Sequence, residues 1–179
     1  MREKGLCYKV NWGISQMDLR TIAEPYGKDK QLAIGLWAEH SRECKILATL
    51  IMPAEEMSCS EAVEWARKFE TVEIAEIAAF NLFQYIAEAD ALATCLFNSD
   101  DNVERLCAYN ITCRLVKRHN ELSEDLSRSM LEAAAEDLRS GNRQLLHQTV
   151  NCLDTLVGND AQYAERAAEL LKDAGIDSF

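Results

Sequence analysis

The chain has 179 residues, 48% of them hydrophobic and 27% charged, with only 2 Pro and 7 Gly; such a composition suits one helix-rich domain and leaves little material for hairpins or flexible linkers. A formal net charge of −11 disfavours strong binding of duplex DNA, a polyanion usually held through Lys and Arg. No apolar run approaches the roughly 18 residues of a membrane span and MREKGLCYKV has no signal-peptide core, so a cytoplasmic protein without a membrane partner is expected.

Helical periodicity and capping signals recur from about Ser15 onwards, and no stretch alternates as a strand does. Ser15 caps a helix ending at Pro25, Asp29 opens the next through LAIGLWAEH, and Ser41 opens a third, RECKILATLIM, stopped by Pro53. Ser58 and Glu61 form a capping box ahead of EAVEWARKF, and Thr71 caps a helix over VEIAEIAAFNLF. A short helix over Ala89–Phe97 follows. Ser99 precedes a long helix from Val103 to Arg118, and Ser123 another that ends near Ser140 and Gly141. Asn142–Val157 and Asp160–Ala174, each followed by glycine (Gly158, Gly175), complete about ten helices. Starts near Arg42, Val72, Val103 and Asn142 are about 30 to 40 residues apart, the spacing of stacked helical pairs, although an ordinary helical bundle would read much the same. The helices from Val72 and Val103 are apolar on nearly all sides, as an inner layer requires.

Charge is uneven along these helices. Met1 to Met52 holds eight basic and six acidic residues, whereas Pro53 to Asn98 holds two and nine. Seven cysteines, odd in number and never spaced as CxxC, point to buried reduced thiols rather than a disulfide framework or zinc site. His40, His119 and His147 are isolated, and no Gly-rich phosphate loop or GxSxG elbow occurs, so neither metal nor cofactor is expected. Trp12, Trp37 and Trp65 sit in helix-packing patterns, for which core filling is the default.

The stretch from Asn11 to Pro53 carries Trp12-Gly13-Ile14-Ser15, Asp18-Leu19-Arg20, Leu36-Trp37 and Glu43-Cys44-Lys45 in that order. In this it resembles the DNA alkylation-repair family, the HEAT-like alkylpurine DNA glycosylases. An aromatic-Gly-[VI]-S turn, a DLR helix, an LW helix and an E-x-[RK] helix succeed one another there. The resemblance continues more faintly to about Asp160, and family members usually carry more sequence before the first motif than the ten residues present here. It implies an all-α HEAT-like helical-repeat superhelix forming one domain over 1–179, whose concave face cradles duplex DNA, and excision of cationic N3- or N7-alkylated purines. Aromatic faces would contact the lesion while a carboxylate stabilises the developing sugar cation or positions water.

Matched residue by residue, the family's W-D-x-x-D helix falls on Val72-Glu73-Ile74-Ala75-Glu76. Glu76 takes the place of the catalytic Asp, and Val72 replaces the Trp. The plain structural alternative is that Glu70, Glu73 and Glu76 gain about 0.3–1 kcal/mol each from the dipole of the helix they open. Arg105 matches an Arg that supports the DNA backbone, and a structural pair with Glu76 or Glu73 is its alternative. The last motif helix matches HQTVNCLDT, with Cys152 at a lesion-facing Trp and Thr155 at a phosphate-binding Arg. Lys45 and Arg114 complete the candidate DNA contacts, although Arg114, Lys117, Arg118 and His119 also suit the cationic end of a helix. Three readings follow: a binding or scaffold member with weakened or lost glycosylase activity; an active 3-methyladenine/7-methylguanine glycosylase using Glu76; and a helical-repeat module for a protein partner.

Overall fold

A computed structural model describes residues 9–118, 121–159 and 161–175; the expectations placed on Cys7, His119 and Asp160 lie outside them. The described residues form ten α-helices and no strand. They are α1 (Gln16–Ala23), α2 (Lys30–Ala38), α3 (Arg42–Ile51), α4 (Cys59–Ala66), α5 (Val72–Asn81), α6 (Ala89–Phe97), α7 (Asn102–Lys117), α8 (Glu124–Asp137), α9 (Arg143–Asn159) and α10 (Ala161–Asp173). Two compact units divide the chain, Met1–Ala89 and Asp90–Phe179.

Most helix starts are set by the residues that the sequence offers as caps. The Ser15 hydroxyl accepts from the Asp18 amide at 3.2 Å, Asp29 from Leu32 at 2.9 Å and Thr71 from Ile74 at 3.3 Å. Both halves of the Ser58–Glu61 capping box form. Ser41 departs from the pattern: it stands at the head of α3, but its hydroxyl donates to Glu43 Oε2 at 3.2 Å instead of capping the helix. At α7 the cap is Asp101, whose Oδ1 accepts from Val103 and Glu104, while Ser99 supports Asp101 one step earlier. A carboxylate there also complements the helix dipole, which explains its precedence over the serine. Gly158 does not stop α9, which runs on to Asn159.

The repeat is visible in side-chain bonds as well as in helix starts. Within the first unit, Gly13 bonds to Glu43, Lys30 to Glu61, Arg42 to Glu73, Asn81 to Thr49 and Glu88 to Cys59, separations of 29 to 32 residues. Within the second, Arg105 reaches Glu136 and Ser123 reaches Asp90 over 31 and 33 residues. Bonds between equivalent levels of successive pairs are what stacked helical repeats produce.

In the first unit α3 packs against α1, α2 and α5. Its core includes Leu19, Trp37, Ile46, Ile51, Ile74 and Phe83. Trp37 and Trp65 stack at 4.3 Å with planes 4° apart, and Phe69 meets Trp37 edge-on. In the second unit α9 packs against α7, α8 and α10 around Leu106, Ile111, Leu126, Met130 and Leu153. Each such fully buried aliphatic side chain contributes about 1.5–3 kcal/mol relative to exposure. Trp12 departs from the expected core role: it precedes α1, and 64% of its surface is exposed.

The described cysteines are all free. Cys107, Cys113 and Cys152 are buried, but Cys44 and Cys59 are half-buried and Cys95 is exposed, so burial holds for only part of the set.

Candidate functional site

The N-terminal motif is built onto α3 and α5 by buried charge. Gly13 has φ +76°, a left-handed conformation that glycine adopts without a Cβ penalty. This turn presents the Gly13 amide to Asn11 Oδ1 at 2.9 Å and Glu43 Oε1 at 3.0 Å. Burial pushes the Glu43 carboxyl up, but bonds from the backbone amides around Trp12 and Gly13, its own amide and the Ser41 hydroxyl hold it below the ordinary range. Next to it, Arg42 is 5% exposed. Its Nη1 donates to the Ile14 carbonyl at 3.0 Å, while Nε and Nη2 grip Glu73 at 3.0 and 2.6 Å. A single guanidinium therefore ties the motif turn to the first turn of α5.

The face of α5 turned away from the core carries Glu73, Glu76 and Phe80. Ile74, Ala75, Ile77, Ala78 and Ala79 are buried, Val72 and Glu73 are half-buried, and Glu76 and Phe80 are exposed. The 73/76/80 spacing is that of neighbours on one helix face. Arg20 of the DLR motif lies 5.5 Å from the Phe80 ring centroid and donates from Nη2 to Asn81 Oδ1 at 2.9 Å. Glu76 is thus a surface carboxylate beside a cation–aromatic pair.

The other candidates are more enclosed. Lys45 is 8% exposed. Its ammonium donates to the Trp37 carbonyl and lies 4.5 Å from a Trp37 ring centroid; burial lowers its pKa, with Glu70 opposing. In the second unit, Arg105 is paired with Asp137 through Nη2 and with Glu136 at 3.5 Å. Those two carboxylates are its ion-pair partners within the second unit, while Glu73 of the first unit is held by Arg42. Asp137 is fully buried at the end of α8 and also accepts from Tyr109 Oη at 2.8 Å, so two donors compensate its desolvation. Burial drives the Tyr109 phenol pKa up, opposed by its bond with Thr149.

Val72 is aliphatic and half-buried. Cys152 is fully buried on α9, its thiol hydrogen-bonded with that of Cys113 on α7. The Thr155 hydroxyl donates to the Asn151 carbonyl at 2.7 Å, and the residue is 7% exposed. These three positions supply no surface aromatic ring or cation. Arg114 is half-buried on α7, with Lys117 and Arg118 exposed at its end. Among the described residues, no group of three His, Cys, Asp or Glu side chains could hold a metal ion. No helix among them is long and apolar enough to cross a membrane.

A family model described as "DNA alkylation repair enzyme" matches residues 8–156. The chain belongs to this DNA alkylation repair family. A solved structure described as "a new family of proteins related to the HEAT-like repeat DNA glycosylases with affinity for branched DNA structures" superposes with a TM-score of 0.82 at 18% identity. The match covers 97% of this chain and 74% of that one, and it shows the HEAT-like helical-repeat fold. No curated protein matches.

Three residues central to the geometry carry no motif signal. Arg42 immediately precedes the Glu43-Cys44-Lys45 motif, and Asp137 lies one repeat after Arg105, a separation that pairing at the repeat period would have flagged. Phe80, one turn beyond Glu76, is legible from helical spacing once α5 is drawn as a wheel.

Proposed function

We propose that this chain is a DNA-binding member of the alkylation repair family in which glycosylase activity is weakened or lost. One observation carries the reading: at the positions matched to the family's lesion-facing Trp residues stand a half-buried Val72 and a fully buried Cys152. A cationic purine finds no π face at either. The relative described with affinity for branched DNA structures supports DNA as the ligand without requiring excision. A net charge of −11 favours modest, salt-sensitive affinity over tight duplex binding.

An active glycosylase is the second reading, and the exposure of Glu76 favours it, since a surface carboxylate can reach a sugar or a water. Release of 3-methyladenine and 7-methylguanine from alkylated DNA, measured chromatographically, separates the two. The binding reading expects no release above that of Glu76→Gln, together with a DNA shift on a native gel at low salt. Robust release abolished by Glu76→Gln would establish the enzyme instead.

A further inference from the structure

Among the described residues of the first unit, the most exposed aromatic side chain has no role in the preceding reading. Trp12 is 64% exposed, whereas Trp37 and Trp65 are 2% and 6% exposed and stacked on each other. Yet the backbone beside Trp12 is firmly held. Gly13 is bonded to Asn11 and Glu43, the Ile14 carbonyl to Arg42, and the adjoining Val10 carbonyl accepts from the Arg42 amide at 3.1 Å. An indole displayed on an anchored turn loses little further freedom on stacking against a ligand.

The same Arg42 grips Glu73, so the Trp12 turn lies beside the first turn of α5. Phe80, 43% exposed, sits about 10 Å further along that helix under the Arg20 guanidinium. The anchored Trp12 turn thus stands near the start of an α5 face that carries Glu76 and, further along, a cation on an aromatic ring. Two features choose its occupant. A standing cation at Arg20 disfavours a cationic base and suits a phosphate. Trp12 and Arg20 also lie in Met1–Met52, the one stretch of the four-way division at Met52, Asn98 and Ser140 whose balance is positive.

We propose that this surface binds DNA through an unpaired base, stacked on Trp12, with Arg20 taking an adjacent phosphate. The proposal rests on the DNA-binding reading and narrows its ligand to strands with unstacked bases, such as those at branch points. A fully paired duplex keeps its bases in the stack and cannot use the indole in this way. Stacking on an aromatic side chain is sequence-tolerant, so structure rather than sequence would be recognised.

The test compares the full chain, Trp12→Ala and Trp12→Phe on two probes of equal length: a three-way junction with a single-stranded arm and a fully paired duplex. Trp12→Ala should weaken junction binding about tenfold and leave duplex binding unchanged, with Trp12→Phe recovering most of the loss. Tryptophan emission of the wild type should be quenched by the junction and not by the duplex. Circular dichroism and the buried Trp37–Trp65 emission report that each variant is folded. Unchanged junction affinity in Trp12→Ala overturns the stacking proposal while leaving the DNA-binding reading intact, as does an equal loss on both probes. Absence of binding to either probe by the wild type overturns both.

Discussion

Each unit hides an arginine against a carboxylate about one repeat downstream, and the two solutions differ in what surrounds the charges. Arg42 of the first unit meets Glu73, whose side chain is 22% exposed, and its Nη1 reaches both the motif turn at Ile14 and the neighbouring Glu43. Arg105 of the second meets Asp137, which is fully buried and shared with Tyr109. The first pair is a fastener that holds a surface feature in place. The second joins α7 to α8 around a fully buried carboxylate. Among the described residues, the eight exposed large hydrophobic side chains, from Val10 to Tyr85, belong to the first unit. Similar ion pairs thus serve opposite ends, display in one unit and internal cohesion in the other.

The largest expected effect tests that internal role. Asp137→Ala leaves the Arg105 guanidinium and the Tyr109 hydroxyl without their buried acceptor, which should cost about 3–5 kcal/mol in urea unfolding. Asp137→Asn keeps an acceptor for one donor and should cost less. A loss below about 1 kcal/mol for Asp137→Ala would mean that water replaces the carboxylate and that the contrast between the two pairs is false.

Arg42→Met should cost less, about 2–3 kcal/mol, because the partly exposed Glu73 can be hydrated when its partner goes. Its diagnostic effect is local: the Trp12 turn loses its tie to α5. Acrylamide quenching of Trp12 and amide hydrogen exchange at Gly13 and Ile14 should both increase. If they do not, Arg42 is no fastener.

Glu43 gives the comparison a pH dependence. Its folded-state pKa lies below the unfolded value of about 4.3, so its stabilisation is full at pH above that value and is lost as pH falls through the folded pKa. Glu43→Gln should remove this acid-limb contribution and cost about 1–2 kcal/mol at neutral pH through weakened charge-assisted bonds. Unfolding curves recorded from pH 7 to pH 3 check both statements. An unaltered acid limb in the variant would show that other carboxylates control it.

The fold was far more legible in the sequence than the site. Capping residues Ser15, Asp29, Ser58, Thr71 and Ser123 announce helix starts because a single side chain satisfies a local backbone donor, and local chemistry is written locally. Spacing of helix starts fitted an ordinary bundle as well as a repeat, and the family motifs between Asn11 and Pro53 were what favoured the repeat. Exposure of Trp12 was not legible: an indole next to a turn reads as core unless the left-handed Gly13 and its bond to Glu43 are known. The partner of Arg105 was missed for a related reason. Asp137 terminates α8 and looks like an exposed helix-end acid, whereas packing buries it. The match of Cys152 and Thr155 to functional positions could be read from sequence, but their enclosure could not.

The smallest expected effect concerns Glu76, the residue on which the family resemblance bears most. It is exposed on the outer face of α5, and substituting a surface residue usually changes stability by no more than about 0.5 kcal/mol. Glu76→Gln should therefore unfold within that margin of the wild type, in contrast to the neighbouring Arg42–Glu73 pair one helical turn away. A loss above about 1 kcal/mol would make Glu76 part of the same fastening network as Glu73. It would then account for the carboxylate by structure alone and remove the main support for excision chemistry. Near-equal stability means that the variant stays folded, so that its effect on DNA binding or base release can be read directly.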